Sequence, residues 1–149
     1  MTQILNETQI DNILSSQCVG RIGFTDGIRP YIVPVSYVYD GKNIMGQTRE
    51  GMKLDIIRKN PNVCFEVDII NNAGSGESVL ITGTFRELKG KISENKRKYL
   101  FDRVWPLSTS AAVHAHEHEV LWKVDDDERI KPTMYLIKIL EKSGRRITQ

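Results

Sequence analysis

Apolar positions along this chain change their period several times, and each change marks an element. Ile10, Ile13 and Leu14 recur at helical spacing. They stand behind Asn6-Glu7-Thr8-Gln9, where Asn6 can cap a helix and Gln9, three residues on, can reach back. Ser15-Ser16-Gln17 ends that helix. From Cys18 the period falls to two, with Val19, Arg21, Gly23 and Thr25 alternating against Gly20, Ile22 and Phe24, which predicts a strand. Asp26-Gly27 is a turn signal, and Tyr31 to Tyr39 follows as a second strand rich in β-branched and aromatic residues. Asp40-Gly41-Lys42 is a tight hairpin turn, and Asn43 to Thr48 returns antiparallel.

Arg49-Glu50-Gly51 breaks the pattern before a predicted helix from Met52 to Lys59, with Leu54, Ile56 and Ile57 inward. Asn60-Pro61 stops it, because proline cannot continue the hydrogen-bond ladder. A fourth strand spans Asn62 to Ile70, a loop Asn71 to Gly76, and a long fifth strand Glu77 to Leu88. Gly83 within that strand points to a bulge or bend. Ser93 is a cap for a helix through Val104, with Tyr99, Leu100 and Val104 on one side and Lys96-Arg97-Lys98 on a solvated face. Pro106 to Ala112 reads as irregular and His114 to Val124 as ambiguous. Met134 to Leu140 reads as a sixth strand, and Ser143 to Gln149 as a frayed end. The sum is an α+β fold, mainly β: six antiparallel strands with flanking helices, a sheet small enough to hide its edges by curling into a barrel.

Composition narrows the class. The 149 residues suit a single domain, 1–149, and 40% apolar residues support a core. The 21 basic and 19 acidic residues lack the basic excess of a nucleic-acid binder. No apolar run approaches the roughly 18 residues of a membrane helix, and the first residues do not resemble a signal peptide. Cys18 and Cys64, 46 positions apart, fit no metal signature and read as buried free thiols in a reducing cytoplasm.

Chemistry concentrates between Val33 and Lys53. Two antiparallel strands end at a turn that opens a helix, and a helix N-terminus presents free N–H groups and a positive dipole end to an anion. Thr48 adds a hydroxyl, Gly51 permits close backbone approach, and Lys53 adds a charge in the first turn. By itself this is a weak phosphate cradle, since capped helices with a nearby lysine are common. Pro34 inside a strand marks an edge or bulge, either as plain architecture or as backbone freed for a ligand.

Four stretches carry a resemblance: Gly20-Arg21-Ile22-Gly23, Pro30 to Tyr37, Glu50 to Leu54, and Asn60 to Phe65. In order and spacing they resemble the pyridoxamine 5′-phosphate oxidase-like FMN-binding split β-barrels, nearest the nitroimidazole-resistance branch. The resemblance runs from about Asn6 to Leu88 and more weakly into the last strand. It implies a cytoplasmic homodimer with FMN at the subunit interface, acting as an NAD(P)H-dependent oxidoreductase on a small molecule. Carried over position by position, Val33, Pro34, Val35 and Ser36 run along the isoalloxazine and ribityl chain, largely through backbone. Gly46, Gln47 and Thr48 pass under the ribityl phosphate. Gly51, Met52 and Lys53 meet the phosphate, and Ser78 adds a polar contact.

Several positions depart from the pattern or leave alternatives open. Gln47 stands where many relatives of the nitroimidazole branch have histidine, and Met52 where an arginine is common, so that either Arg49 or Arg58 compensates or the phosphate is held less tightly. The arginine-rich C-terminal motif of true pyridoxamine phosphate oxidases is missing, which argues against that enzyme; Arg145-Arg146 do not match it. Trp105 is either core or interface filling or an aromatic cap on the flavin ring. His114, His116 and His118 read as a solvated or dimer-facing stretch, with a surface metal or a haem as the alternatives. A flavin or haem carrier without turnover and a deazaflavin-dependent reductase remain the alternative functions.

Overall fold

The computed structural model describes residues 1–107 and 133–149; within this range the side chains of 101 and 104–107 are not described. Among the described residues, eight strands and three helices follow one another as β1 (Thr2–Ile4), α1 (Glu7–Ser16), β2 (Val19–Thr25), β3 (Pro30–Ser36), β4 (Val38–Tyr39), β5 (Asn43–Thr48), α2 (Met52–Lys59), β6 (Asn62–Asn72), β7 (Ser75–Leu88), α3 (Gly90–Leu107) and β8 (Thr133–Ile147). All pairings are antiparallel, in the order β3-β2-β6-β7-β8-β5-β4, with β1 added on β8. The ends of this order, β3 and β4, are separated in the chain by Tyr37 alone. The sheet must therefore curl until its two edges meet, and no ladder joins them. That is a split barrel.

Local signals set several elements as expected. The Asn6 side chain accepts from the Gln9 N–H at 2.9 Å, and the Gln9 side chain accepts from the Asn6 N–H at 2.9 Å, a complete capping box on α1. Helix α2 and strand β5 span the predicted residues. The register between β7 and β8 shifts at Gly83, whose close approach to the Lys138 carbonyl leaves no room for a Cβ. At Gly20, an added Cβ would collide with the Phe65 ring.

Inward side chains of the sheet, with Ile10, Ile13 and Leu14 from α1 and Leu54 and Ile57 from α2, form the main core. Phe65 and Tyr37 meet edge-to-face in it at 5.1 Å. A second cluster lies on the outer face, where Leu100 of α3 packs with Val38, Met45, Met134 and Leu136.

The departures from expectation are long-range in origin. The six expected strands become eight. The single strand expected from Tyr31 to Tyr39 divides at Tyr37, which passes the chain from one sheet edge to the other. Tyr37 is held there by its N–H on the Cys18 carbonyl at 3.0 Å and its hydroxyl on the Leu14 carbonyl at 2.7 Å. Strand β1 carries no apolar alternation and exists because β8 offers it an edge. Residues Ser143 to Ile147, expected to fray, extend β8 instead, because β7 pairs with them all and β1 pairs with Arg145 to Ile147 from the other side. The loop expected from Asn71 to Gly76 shrinks to a turn at Ala73-Gly74. Helix α3 starts at Gly90, before the cap expected at Ser93, and Arg97 is buried rather than solvated, at 6% exposure. Cys18 and Cys64 are free and half-buried, and burial raises the Cys18 thiol pKa. None of the described helices is long and apolar enough to cross a membrane.

Candidate functional site

The open seam of the barrel is the place where the sequence-predicted residues converge. Strand β3 touches β5 without pairing to it. Continuing the β4–β5 register of Val38 with Met45 places Ser36 opposite Gln47 and Val35 opposite Thr48. Each strand has its ladder on the far side, β3 with β2 and β5 with β8, so backbone groups of Val33 to Ser36 and of Gly46 to Thr48 face the seam. Pro34 sits on this edge strand, exposed and paired with Arg21, where its missing N–H costs least. Val33 is half-buried and Val35 buried.

Two side chains at the seam carry buried polar atoms without a hydrogen-bond partner: the Ser36 Oγ and the Gln47 Oε1, in residues 2% and 5% exposed. An unpaired buried polar atom is expensive, and such groups normally find a partner. Both belong to the outer face by strand alternation. Ser93 and Arg97 share the buried stripe of α3 with Leu100 at spacings of four and three. Burial lowers the Arg97 pKa, and Glu94 opposes that. Inside the barrel, Gly46 lets the Tyr135 ring lie across β5, since an added Cβ would stand 2.5 Å from the Tyr135 hydroxyl. That hydroxyl is also buried and unpartnered, and burial drives its pKa up. The Thr48 hydroxyl donates to the Arg49 carbonyl at a long 3.4 Å.

Beyond Thr48 the chain enters α2. Gly51 is its N-cap, in extended conformation, with no side chain capping the first turn and open space around it. Met52 is 63% exposed and Lys53 half-buried. The helix start thus offers uncapped N–H groups beside Lys53, as the sequence suggests. Val33 to Ser36 and Gly46 to Thr48 flank the seam, and the chain runs from Thr48 through Arg49-Glu50 to Gly51 and the start of α2.

Ser78 does not join it. Ser78 pairs with Arg145, whereas Gln47 and Thr48 pair with Met134 and Thr133 at the opposite end of β8. The eleven steps from Met134 to Arg145 are on the order of 35 Å of strand. Within one chain, Ser78 and the α2 N-terminus therefore lie at opposite ends of the sheet. Trp105 belongs to α3, but its side chain lies outside the described residues, as do His114, His116 and His118. Arg58, one of the two charges proposed to replace the arginine missing at Met52, is engaged elsewhere. Its guanidinium contacts Glu50 at 2.7 and 2.8 Å and Glu87 at 2.7 and 3.2 Å.

Sequence reasoning missed a cleft of about 460 Å³ along α2, lined by Asp26, Met52, Asp55, Ile56, Lys59 and Asn60. Met52, an exposed methionine at the start of an otherwise inward-packing helix, is the signal that could have revealed it. The Asp26 carboxyl at its rim is held below its ordinary pKa by N–H groups of Arg29 and Ile28.

The family model described as pyridoxamine 5′-phosphate oxidase matches residues 6–146. The chain belongs to the pyridoxamine 5′-phosphate oxidase family. Solved structures agree on the family's fold. A FAD-binding protein from Mesorhizobium loti aligns over 100% of this chain and 98% of its own, with a TM-score of 0.76 and 23% identity. The FAD binding protein of Mycobacterium smegmatis covers 97% and 98%, with a TM-score of 0.64 and 23% identity. A structure from Bacteroides thetaiotaomicron named for 5-nitroimidazole antibiotic resistance covers 98% and 87%, with a TM-score of 0.70 and 16% identity. Among curated proteins, an uncharacterized Rhizobium meliloti protein is 24% identical over 86 residues, 58% of this chain and 57% of that relative. The match thus spans less than two thirds of that relative's length.

Proposed function

We propose that this member of the family binds FMN along the β3–β5 seam, with its phosphate at the N-terminus of α2, and works as an NAD(P)H-dependent oxidoreductase of small molecules. The observation that carries the reading is the seam itself. Two strand edges face each other without a ladder, the buried Ser36 Oγ and Gln47 Oε1 lack partners there, and the path runs on to an uncapped helix start beside Lys53. A planar ring with polar edges supplies the hydrogen bonds that Ser36, Gln47 and the two strand edges lack. A ribityl phosphate answers the N–H groups of α2 and the ammonium of Lys53.

Bound there, a flavin supplies the redox chemistry, and the protein contributes binding, orientation and electrostatics. Val33 to Ser36 hold the ring edge through backbone, Gly46 to Thr48 support the chain beneath it, and Gly51 to Lys53 receive the phosphate. The similarity to structures named as FAD-binding and for 5-nitroimidazole resistance supports a flavin at this position and a small oxidant as substrate.

A homodimer completes the reading. Ile32 on β3 and Leu80 on β7 are apolar side chains 67% and 49% exposed, which a second copy would cover. Ser78, remote from the seam in its own chain, reaches a flavin only if it belongs to the other copy. The cytoplasm is the compartment that goes with a nicotinamide donor.

The purified protein is expected to be yellow, to release FMN on heating, and to elute as a dimer. The mass of the released cofactor separates FMN from FAD, haem or a deazaflavin. A colourless protein that takes up no added FMN refutes the proposal. Failure to oxidise NADH or NADPH above the rate of free FMN would leave a flavin carrier rather than an enzyme.

A further inference from the structure

We infer that Arg58 is a positioning residue for phosphate binding, acting through Glu50 to hold the Arg49-Glu50-Gly51 loop in the shape that presents the α2 N-terminus. The inference rests on the FMN site proposed above and extends it to a residue that does not itself touch the ligand.

Gly51 makes no side-chain cap, and a Cβ at that position would meet nothing within 4 Å. A tie on the Arg49-Glu50-Gly51 loop comes from the other end of α2. Arg58 sits in the last turn and offers two separate edges. Its Nη1 and Nη2 donate to the two Glu50 oxygens at 2.8 and 2.7 Å, a parallel pair. Its Nε and Nη2 donate to the Glu87 carboxylate at 3.2 and 2.7 Å, a second pair on the adjacent edge. Glu87 belongs to β7, inside the sheet, and its side chain is only 21% exposed. One guanidinium thus fastens the loop to the sheet through two carboxylates.

Only a planar fork with two usable edges makes this clasp; a lysine is a point charge on a flexible stem. The ion pairs hold Glu50 ionised, its carboxyl below the usual range, and hold Arg58 firmly protonated. Exposed ion pairs add little to global stability, so the clasp's consequence is local order in the loop. It also settles what Arg58 does not do: both of its outward edges are taken by carboxylates, so it supplies no charge of its own to the phosphate.

Positioning and bulk electrostatics make opposite predictions at Glu50. Removing a carboxylate beside a phosphate site tightens anion binding if charge alone matters. It weakens binding if the carboxylate is the tether that shapes the loop. Glu50→Ala is expected to raise the Kd for FMN about tenfold, while riboflavin, which lacks the phosphate, binds as in the wild type. Arg58→Lys, which keeps the charge, is expected to behave in the same way, with the thermal midpoint of both variants close to that of the parent. FMN binding by Glu50→Ala as tight as or tighter than wild type overturns the inference, as does an equal loss for riboflavin and FMN. A wild-type protein that binds neither flavin fails the site reading itself, which is a different result.

Discussion

Replacing Gly20 by alanine tests whether the barrel core is packed as described, because sterics and chain entropy predict opposite signs. Gly20 is not among the positive-φ glycines, so an alanine fits its backbone. With free space around it, Gly20→Ala would stabilise the protein by about 0.4–1 kcal/mol, by restricting the unfolded chain. The structure says the space is taken. The new Cβ would stand 2.5 Å from the Phe65 Cε1 and 3.0 Å from the Glu66 carbonyl oxygen. Phe65 has no exposed surface and is braced by Tyr37, itself fixed through its hydroxyl to the Leu14 carbonyl. The ring cannot yield without moving the residue that carries the chain between β3 and β4. Overpacking of this kind costs about 1–3 kcal/mol. For a chain of this size, a 2 kcal/mol loss lowers the thermal midpoint by about 4–8 °C. Thermal and urea unfolding followed by circular dichroism measure it. In the Phe65→Leu background the cost of the alanine should largely disappear, giving a coupling energy of about 0.5–3 kcal/mol. A Gly20→Ala protein as stable as wild type, or more stable, or costs that simply add in the double variant, would refute the packing.

Three further outcomes are expected. Lys53→Met weakens FMN binding by roughly one to two powers of ten by removing a charge-assisted contact to the phosphate; a fluorescence titration in which FMN binding is unchanged removes Lys53 from the site. Tyr135→Phe deletes a buried hydroxyl that has no partner, so the protein without flavin should be as stable as wild type or up to about 1 kcal/mol more stable; a clear loss in urea unfolding means the hydroxyl is bonded after all. Burial pushes the Asp11 carboxyl up, but hydrogen bonds from Lys142 at 2.6 Å and Tyr39 at 2.9 Å outweigh it and leave its pKa below the ordinary 3.8. The folded state therefore binds that proton less readily than the unfolded chain. Its contribution to stability is present above the ordinary value and is lost as pH falls through the folded one. Asp11→Asn should lower stability at neutral pH and flatten its decline below about pH 4, and an unaltered acid limb counts against the Lys142–Asp11–Tyr39 cluster.

What could be read from the chain was what short-range physics decides. The Asn6–Gln9 capping box and the Asn60-Pro61 stop involve neighbours a few residues apart, and both stand in the structure as expected. Gly83 announced the bulge opposite Leu140 because a glycine inside a strand has few other uses. The strand, turn and helix start that follow one another between Asn43 and Lys53, the place proposed for the phosphate, were legible for the same reason.

Tertiary structure decided whatever depends on which strand lies beside which. Ser143 to Ile147 carry too little apolar pattern to predict a strand, yet two neighbouring strands, β7 throughout and β1 from Arg145 on, pair with them. Arg97 reads as one of three solvated cations until α3 turns that face onto the sheet. Arg58 reads as a spare charge for a phosphate until Glu87, 29 residues later, is brought alongside it. Ser78 is assigned to the site by family resemblance but is separated from it by the length of β8. Pairing partners and register are set by burial summed over the whole sheet, which no local window contains. The chain by itself determined most of the elements, which short-range patterning sets; only the curling of the sheet, which brings β3 against β5 at Ser36 and Gln47, decided where they meet.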